Sequence, residues 1–68
     1  MATKNNIGEN IKRRRTKLGL SQEIFAQKSG VKYTSLTKIE SGVIKTPSVL
    51  MVAKIAKALG VSIEELLK

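Results

Sequence analysis

The 68-residue chain has no Cys, His, Asp or Trp, and only one Pro, one Phe and one Tyr. Each absence removes a class of explanation. Without Cys there is no disulfide, and without Cys, His and Asp a structural zinc site lacks its ordinary ligands. No Ser–His or Cys–His nucleophile pair can be assembled. General acid–base work needs a group titrating near neutrality, and only Glu9, Glu23, Glu40, Glu64, Glu65, Tyr33 and the lysines remain. The expectation is therefore a protein that is not an enzyme and needs no metal and no cofactor. Long apolar runs are missing too. The stretch from Val49 to Leu59 is broken by Lys54 and Lys57 and falls short of the roughly 20 residues of a spanning helix. The opening MATKNNIGEN lacks the apolar centre of a signal peptide. A cytoplasmic protein with no membrane role is expected.

What the chain does have is positive charge. Thirteen Lys and Arg stand against five Glu, a net +8 with a pI near 10.2. Such a balance suits a polyanionic partner or an anionic membrane surface, or is simply a solvated face. Its distribution is uneven: residues 1–45 carry net +7, and residues 46–68 carry net +1. The first two-thirds holds the field and the last third reads as structural.

The length allows one domain, 1–68, with residues 1–6 as a flexible arm and a core over 7–67. A domain this small is marginal and relies on closely packed helices or on a partner subunit. Gly19, Gly30, Gly42, Pro47 and Gly60 cut the chain into helix-length segments with short connections. Asn6 and Glu9 form a capping box for a first helix whose inward face is Ile7, Ile11 and Leu18. Ser21 caps a second helix, Gln22 to Ser29, with Ile24 and Phe25 apolar and Ala26 small. A third runs from about Lys32 to Ser41 on Leu36 and Ile39. Ser48 caps a fourth, with an inward stripe of Val49, Val52, Ala53, Ala56 and Leu59. Ser62 to Glu65 is a second capping box, opening a short helix with Leu66 and Leu67. No period-2 alternation is sustained, so the fold class expected is all-α, five helices and no sheet.

The middle of the chain carries the functional signal. A helix, a tight turn at Gly30 and a second helix span Gln22 to Ser41, with Ala26 small where two axes would cross. Val31, Leu36 and Ile39 then anchor the second helix from one side. Gly19-Leu20-Ser21-Gln22, Ala26, Gly30-Val31, Ile39-Glu40-Ser41-Gly42, Pro47-Ser48 and Ala58-Leu59-Gly60-Val61 together resemble the Cro/C1-type, or Xre-like, helix-turn-helix repressors. The resemblance extends from about Ile7 to Leu67. It implies a compact five-helix domain like that of the phage lambda and 434 repressors. It also implies a sequence-specific regulator of transcription, a repressor binding double-stranded DNA as a homodimer on a near-palindromic operator. Such a protein is prokaryotic or phage-encoded and sits on the nucleoid when bound.

The resemblance assigns a phosphate contact to Gln22, base readout to Tyr33, Thr34 and Lys38, and a pairing to Arg15 and Glu40. Spacing at 100° per residue agrees, placing Thr34, Thr37, Lys38 and Ser41 outward with Tyr33 at the edge. Lys38 can donate to guanine, and Thr34 can bond a base or touch a thymine methyl. Tyr33 either contacts DNA or packs on the domain edge. Lys32, Ser41 and Lys45 suit phosphate positioning, although Lys45 reads equally as a solvated loop lysine. The Arg15–Glu40 pair is either buried and tying or exposed and weak. Three positions depart from the family pattern. Arg14 replaces an apolar residue and either snorkels or extends the phosphate-facing surface. Lys32 stands where a capping Ser or Thr is common, and Phe25 replaces Leu.

On a wheel anchored at Val49, Met51, Ile55 and Ala58 form a flanking strip, expected either as part of a homodimer interface or as scattered surface apolars. Other readings have less behind them. Single-strand RNA modules stack bases on aromatics, and only Phe25 and Tyr33 are present. A membrane-surface peptide would be one long amphipathic helix rather than several short ones. The same fold could instead serve protein contact, as in antitoxins of this family. No effector-sensing domain is expected after the last helix, so any ligand response would act within the domain.

Overall fold

The computed structural model describes residues 7–67 as five helices: α1 (Ile7–Lys17), α2 (Gln22–Ser29), α3 (Tyr33–Ser41), α4 (Val49–Leu59) and α5 (Ile63–Leu67). Among the described residues there is no strand. Asn6 and the expected arm over residues 1–6 lie outside the described residues.

Three of the helices start on serines, as expected. Ser21 Oγ accepts from the Ile24 N–H at 3.1 Å, Ser48 Oγ from that of Met51 at 3.2 Å and Ser62 Oγ from that of Glu65 at 3.2 Å. Each satisfies a first-turn amide that has no partner within its own helix. At the turn between α2 and α3 the chain reverses at Gly30, with φ +77° and its N–H donating to Ala26 O at 3.0 Å. A left-handed φ of this size disfavours any residue with a Cβ. α3 begins differently. Lys32 stands in the N-cap position and gives no side-chain hydrogen bond, so this helix depends on tertiary packing.

The core draws on every helix. Ile11 of α1, Phe25 of α2, Leu36 and Ile39 of α3, Ile55 of α4 and Leu66 of α5 are all fully buried. Phe25, where the family pattern has Leu, is thus accommodated within the apolar core. α1 lies against α3, α4 and α5. Its hold on α5 is partly polar: the buried Asn10 Nδ2 donates to Leu66 O at 2.8 Å, and Arg14 Nη2 meets Glu65 Oε1 at 3.0 Å.

Three apolar expectations are corrected. Leu18 is 53% exposed, because α1 ends at Lys17 and its periodicity does not carry past that point. Ile24 is also exposed, since α2 buries the arc of Phe25, Ala26 and Ser29. In α4 the face itself is turned. Val49 is 78% exposed, whereas Val52, Ile55 and Ala56 are buried. Val49 is the first helical residue and lies mostly outside the packing of the described residues, so a wheel anchored on it is rotated by roughly 70° at 100° per residue. Ile55 is therefore core and cannot face a partner. Met51 and Ala58 are half-buried against that core rather than forming a free strip.

The turned face has a direct test in urea unfolding. Ile55→Ala is expected to destabilise by about 2–5 kcal/mol, in the range for emptying a buried aliphatic site. Val49→Ala is expected to stay within about 0.5 kcal/mol, as for a surface change.

Candidate nucleic-acid interface

α1, α2 and α3 meet at one carboxylate. Glu40, late in α3, receives Arg15 of α1 through two parallel bonds: Nε to Oε2 at 2.7 Å and Nη2 to Oε1 at 2.9 Å. The remaining guanidinium nitrogen, Nη1, donates to Leu20 O at 2.6 Å, fastening the α1–α2 connection as well. Gln22 Nε2 adds a third bond to Glu40, at 2.9 Å to Oε1. The two charged side chains are only 9% and 3% exposed, so the pair is buried and tying. A lysine at position 15 could not reproduce this, because the planar fork supplies three donors in fixed directions. The bond from Glu40 holds the Arg15 pKa above the ordinary arginine range, outweighing desolvation, with the carboxylate charge adding to it. A raised folded value stabilises the fold at every pH below the unfolded value and is lost only as pH rises through the folded one. Arg15 therefore stays charged throughout the neutral range.

With Glu40 pinned and Leu36 and Ile39 fully buried, the opposite face of α3 is left clear. Thr34, Lys38 and Ser41 are exposed there, Tyr33 is exposed at its edge beside Lys32 at the helix start, and Thr37 is half-buried. Two hydroxyls are engaged within the helix. Thr37 Oγ1 donates to Thr34 O at 2.8 Å, and Ser41 Oγ donates to Lys38 O at 3.2 Å. Each hydroxyl has a single proton, so both side chains present an acceptor outward. Lys45 is exposed in the 42–48 loop.

Two expected phosphate contacts are placed differently. Arg14 is turned away from α3 and paired with Glu65 of α5. The reason is angular: neighbouring residues diverge by 100° on a helix, so Arg14 and Arg15 reach opposite neighbours. Arg14 is thus a strut between α1 and α5. Gln22 is committed to Glu40 by one amide hydrogen. Its second amide hydrogen and its backbone N–H, in the first turn of α2, are what remain for an anion. The bonds from Gln22 to Glu40, Arg15 to Leu20 O and Asn10 to Leu66 O had no local sequence signal, since their partners are set by the fold.

A helix pair joined by a glycine turn, with the second helix pinned from inside and polar outside, is a helix-turn-helix DNA-binding domain. The helix-turn-helix family model matches residues 11–66, and the chain belongs to the Cro/C1-type helix-turn-helix family. Solved structures agree. The chain is similar to the DNA-bound biofilm master regulator SinR, at 35% identity and a TM-score of 0.88 over 91% of this chain and 98% of that one; SinR is from Bacillus subtilis. The restriction–modification controller C.AhdI from Aeromonas hydrophila matches at 33% and 0.84 over 90% and 91%. The P22 c2 repressor with a synthetic operator matches at 31% and 0.82 over 91% and 92%.

The two arginine pairs should separate in thermal unfolding. Glu40→Ala leaves Arg15 buried and uncompensated, at an expected cost of about 3–5 kcal/mol. Arg14→Ala breaks a pair whose members are 35% and 44% exposed, for which about 1 kcal/mol or less is expected.

Proposed function

We propose that this protein is a cytoplasmic, sequence-specific DNA-binding repressor of transcription. It binds a near-palindromic operator as a homodimer, with α3 in the major groove. The observation that carries this reading is the two-sidedness of α3: Leu36, Ile39 and Glu40 locked inward, Thr34 and Lys38 exposed outward, with Tyr33 exposed at the edge. The SinR and P22 c2 structures, both determined with DNA, support the DNA-binding part of this reading.

Lys38 donates to guanine O6 and N7, Thr34 bonds a base edge or meets a thymine methyl, and Tyr33 flanks them. Thr37 offers its methyl and an acceptor. Lys32 and Lys45 position phosphates, as do Gln22 and the first-turn amides of α2, where the helix dipole favours an anion. Ser41 joins them only by turning its hydroxyl away from Lys38 O. A two-fold dimer presents two such helices about 34 Å apart, one turn of B-DNA.

Selection from random duplexes tests the whole reading. An enriched near-palindrome with half-sites one turn apart is expected, together with two chains per duplex in sedimentation. No enrichment, or equal binding to RNA, counts against it. On the enriched site, Lys38→Ala is expected to lose about 1–3 kcal/mol at one base position. Lys45→Ala is expected to weaken all sequences alike and to reduce the salt slope by about one.

A further inference from the structure

We infer that Gly8 sets the depth at which α3 is seated, and so is a positioning residue for base readout; this rests on the major-groove reading proposed above. Gly8 is buried in the first turn of α1. A Cβ at this position would lie 2.1 Å from Ile39 O, 3.2 Å from Ile39 C and 3.3 Å from Glu40 Cα. All three obstacles are backbone atoms of α3, so no change of rotamer relieves them. The other four glycines have nothing within 4 Å of such a Cβ, and each has positive φ. They serve conformation, whereas Gly8 serves space. A glycine inside a helix is less favourable than alanine, and the close approach of the Ile39 carbonyl is what requires it here.

Gly8 and Arg15 are seven residues apart, about two turns, and so share a face of α1. That face holds the end of α3 at two points, by close backbone approach at Gly8 and by the ion pair at Arg15. Ile39 and Glu40 follow directly on Lys38, so a change in this crossing moves Lys38. With a methyl present, the crossing must open by roughly 1 Å, against a tolerance of about 0.5 Å for a productive site. α1 cannot absorb all of it, because Ile7 and Ile11 are buried and Asn10 is bonded to Leu66 O. Base contacts lose register first. Phosphate contacts from long lysines adapt.

Wild type and Gly8→Ala are to be compared by melting and by titration with the selected duplex and a scrambled duplex. Gly8→Ala is expected to melt lower. Its preference for the selected site should fall about ten-fold or more, the scale of a good base contact, while affinity for the scrambled duplex stays within about three-fold. A simple loss of folding would lower both affinities together. A higher melting temperature, which alanine gives where its methyl meets no obstacle, overturns the inference, and so does an unchanged preference. If the variant does not melt cooperatively, the titrations are made in trimethylamine N-oxide, which favours the compact state, and the same ratio decides. A wild type that prefers no duplex overturns the major-groove reading itself. A selective wild type with an equally selective variant overturns only the role of Gly8.

Discussion

The domain is organised around the buried contact between Arg15 and Glu40. Two charges at that depth are unfavourable unless they are paired and further hydrogen-bonded, and here they are. Glu40 receives Arg15 twice and Gln22 once, while Arg15 spends its third nitrogen on Leu20 O. Three helices and one connection are thereby referred to a single carboxylate. The apolar core supplies most of the stabilisation, as it must in any domain. Apolar packing alone, however, tolerates small slides and rotations, whereas a forked ion pair with fixed directions does not.

That distinction matters because α3 has little else to fix it. It is nine residues long, and helices of that length are marginal in water by themselves. Lys32 gives it no side-chain cap. Its outward face, if it reads a groove, must stay free of tertiary contacts. Every anchor therefore comes from inside: Leu36 and Ile39 in the core, Glu40 on Arg15 and the close crossing at Gly8. Lys32 gives up a cap and in return places a positive charge beside the exposed face.

The same contrast explains what could be read from the sequence. The starts of α2, α4 and α5 and the Gly30 turn were legible because a serine cap and a left-handed glycine act within a few residues. The outward face of α3 was legible because Leu36 and Ile39 fix its phase. The phase of α4 was not, since Val49, Val52, Ile55 and Ala56 permit more than one apolar arc and only the neighbouring helices choose. The pairing of Arg15 with Glu40 came from family resemblance. Nothing local distinguishes Arg15 from Arg14, and the partners lie 25 and 51 residues away. Gly8 reads like an ordinary flaw in a helix until α3 is seen behind it.

The arginine run also changes what the net charge means. From composition, Arg13, Arg14 and Arg15 are the densest part of a basic field. In the fold, Arg15 is cancelled by Glu40 and Arg14 is paired with Glu65, while Arg13 donates to Asn10. Two of the three arginines thus add little to the outward potential, because each brings its counter-charge with it. The charge left for a polyanion lies on Arg13, whose partner is neutral, and mostly on flexible lysines, with Lys32, Lys38 and Lys45 nearest the proposed interface. Lysines on long stems neutralise phosphates without demanding one geometry. A domain built this way spends Arg15 on holding the recognition helix and Arg14 on holding α5, and leaves its lysines for the surface, so that affinity and register rest on different residues.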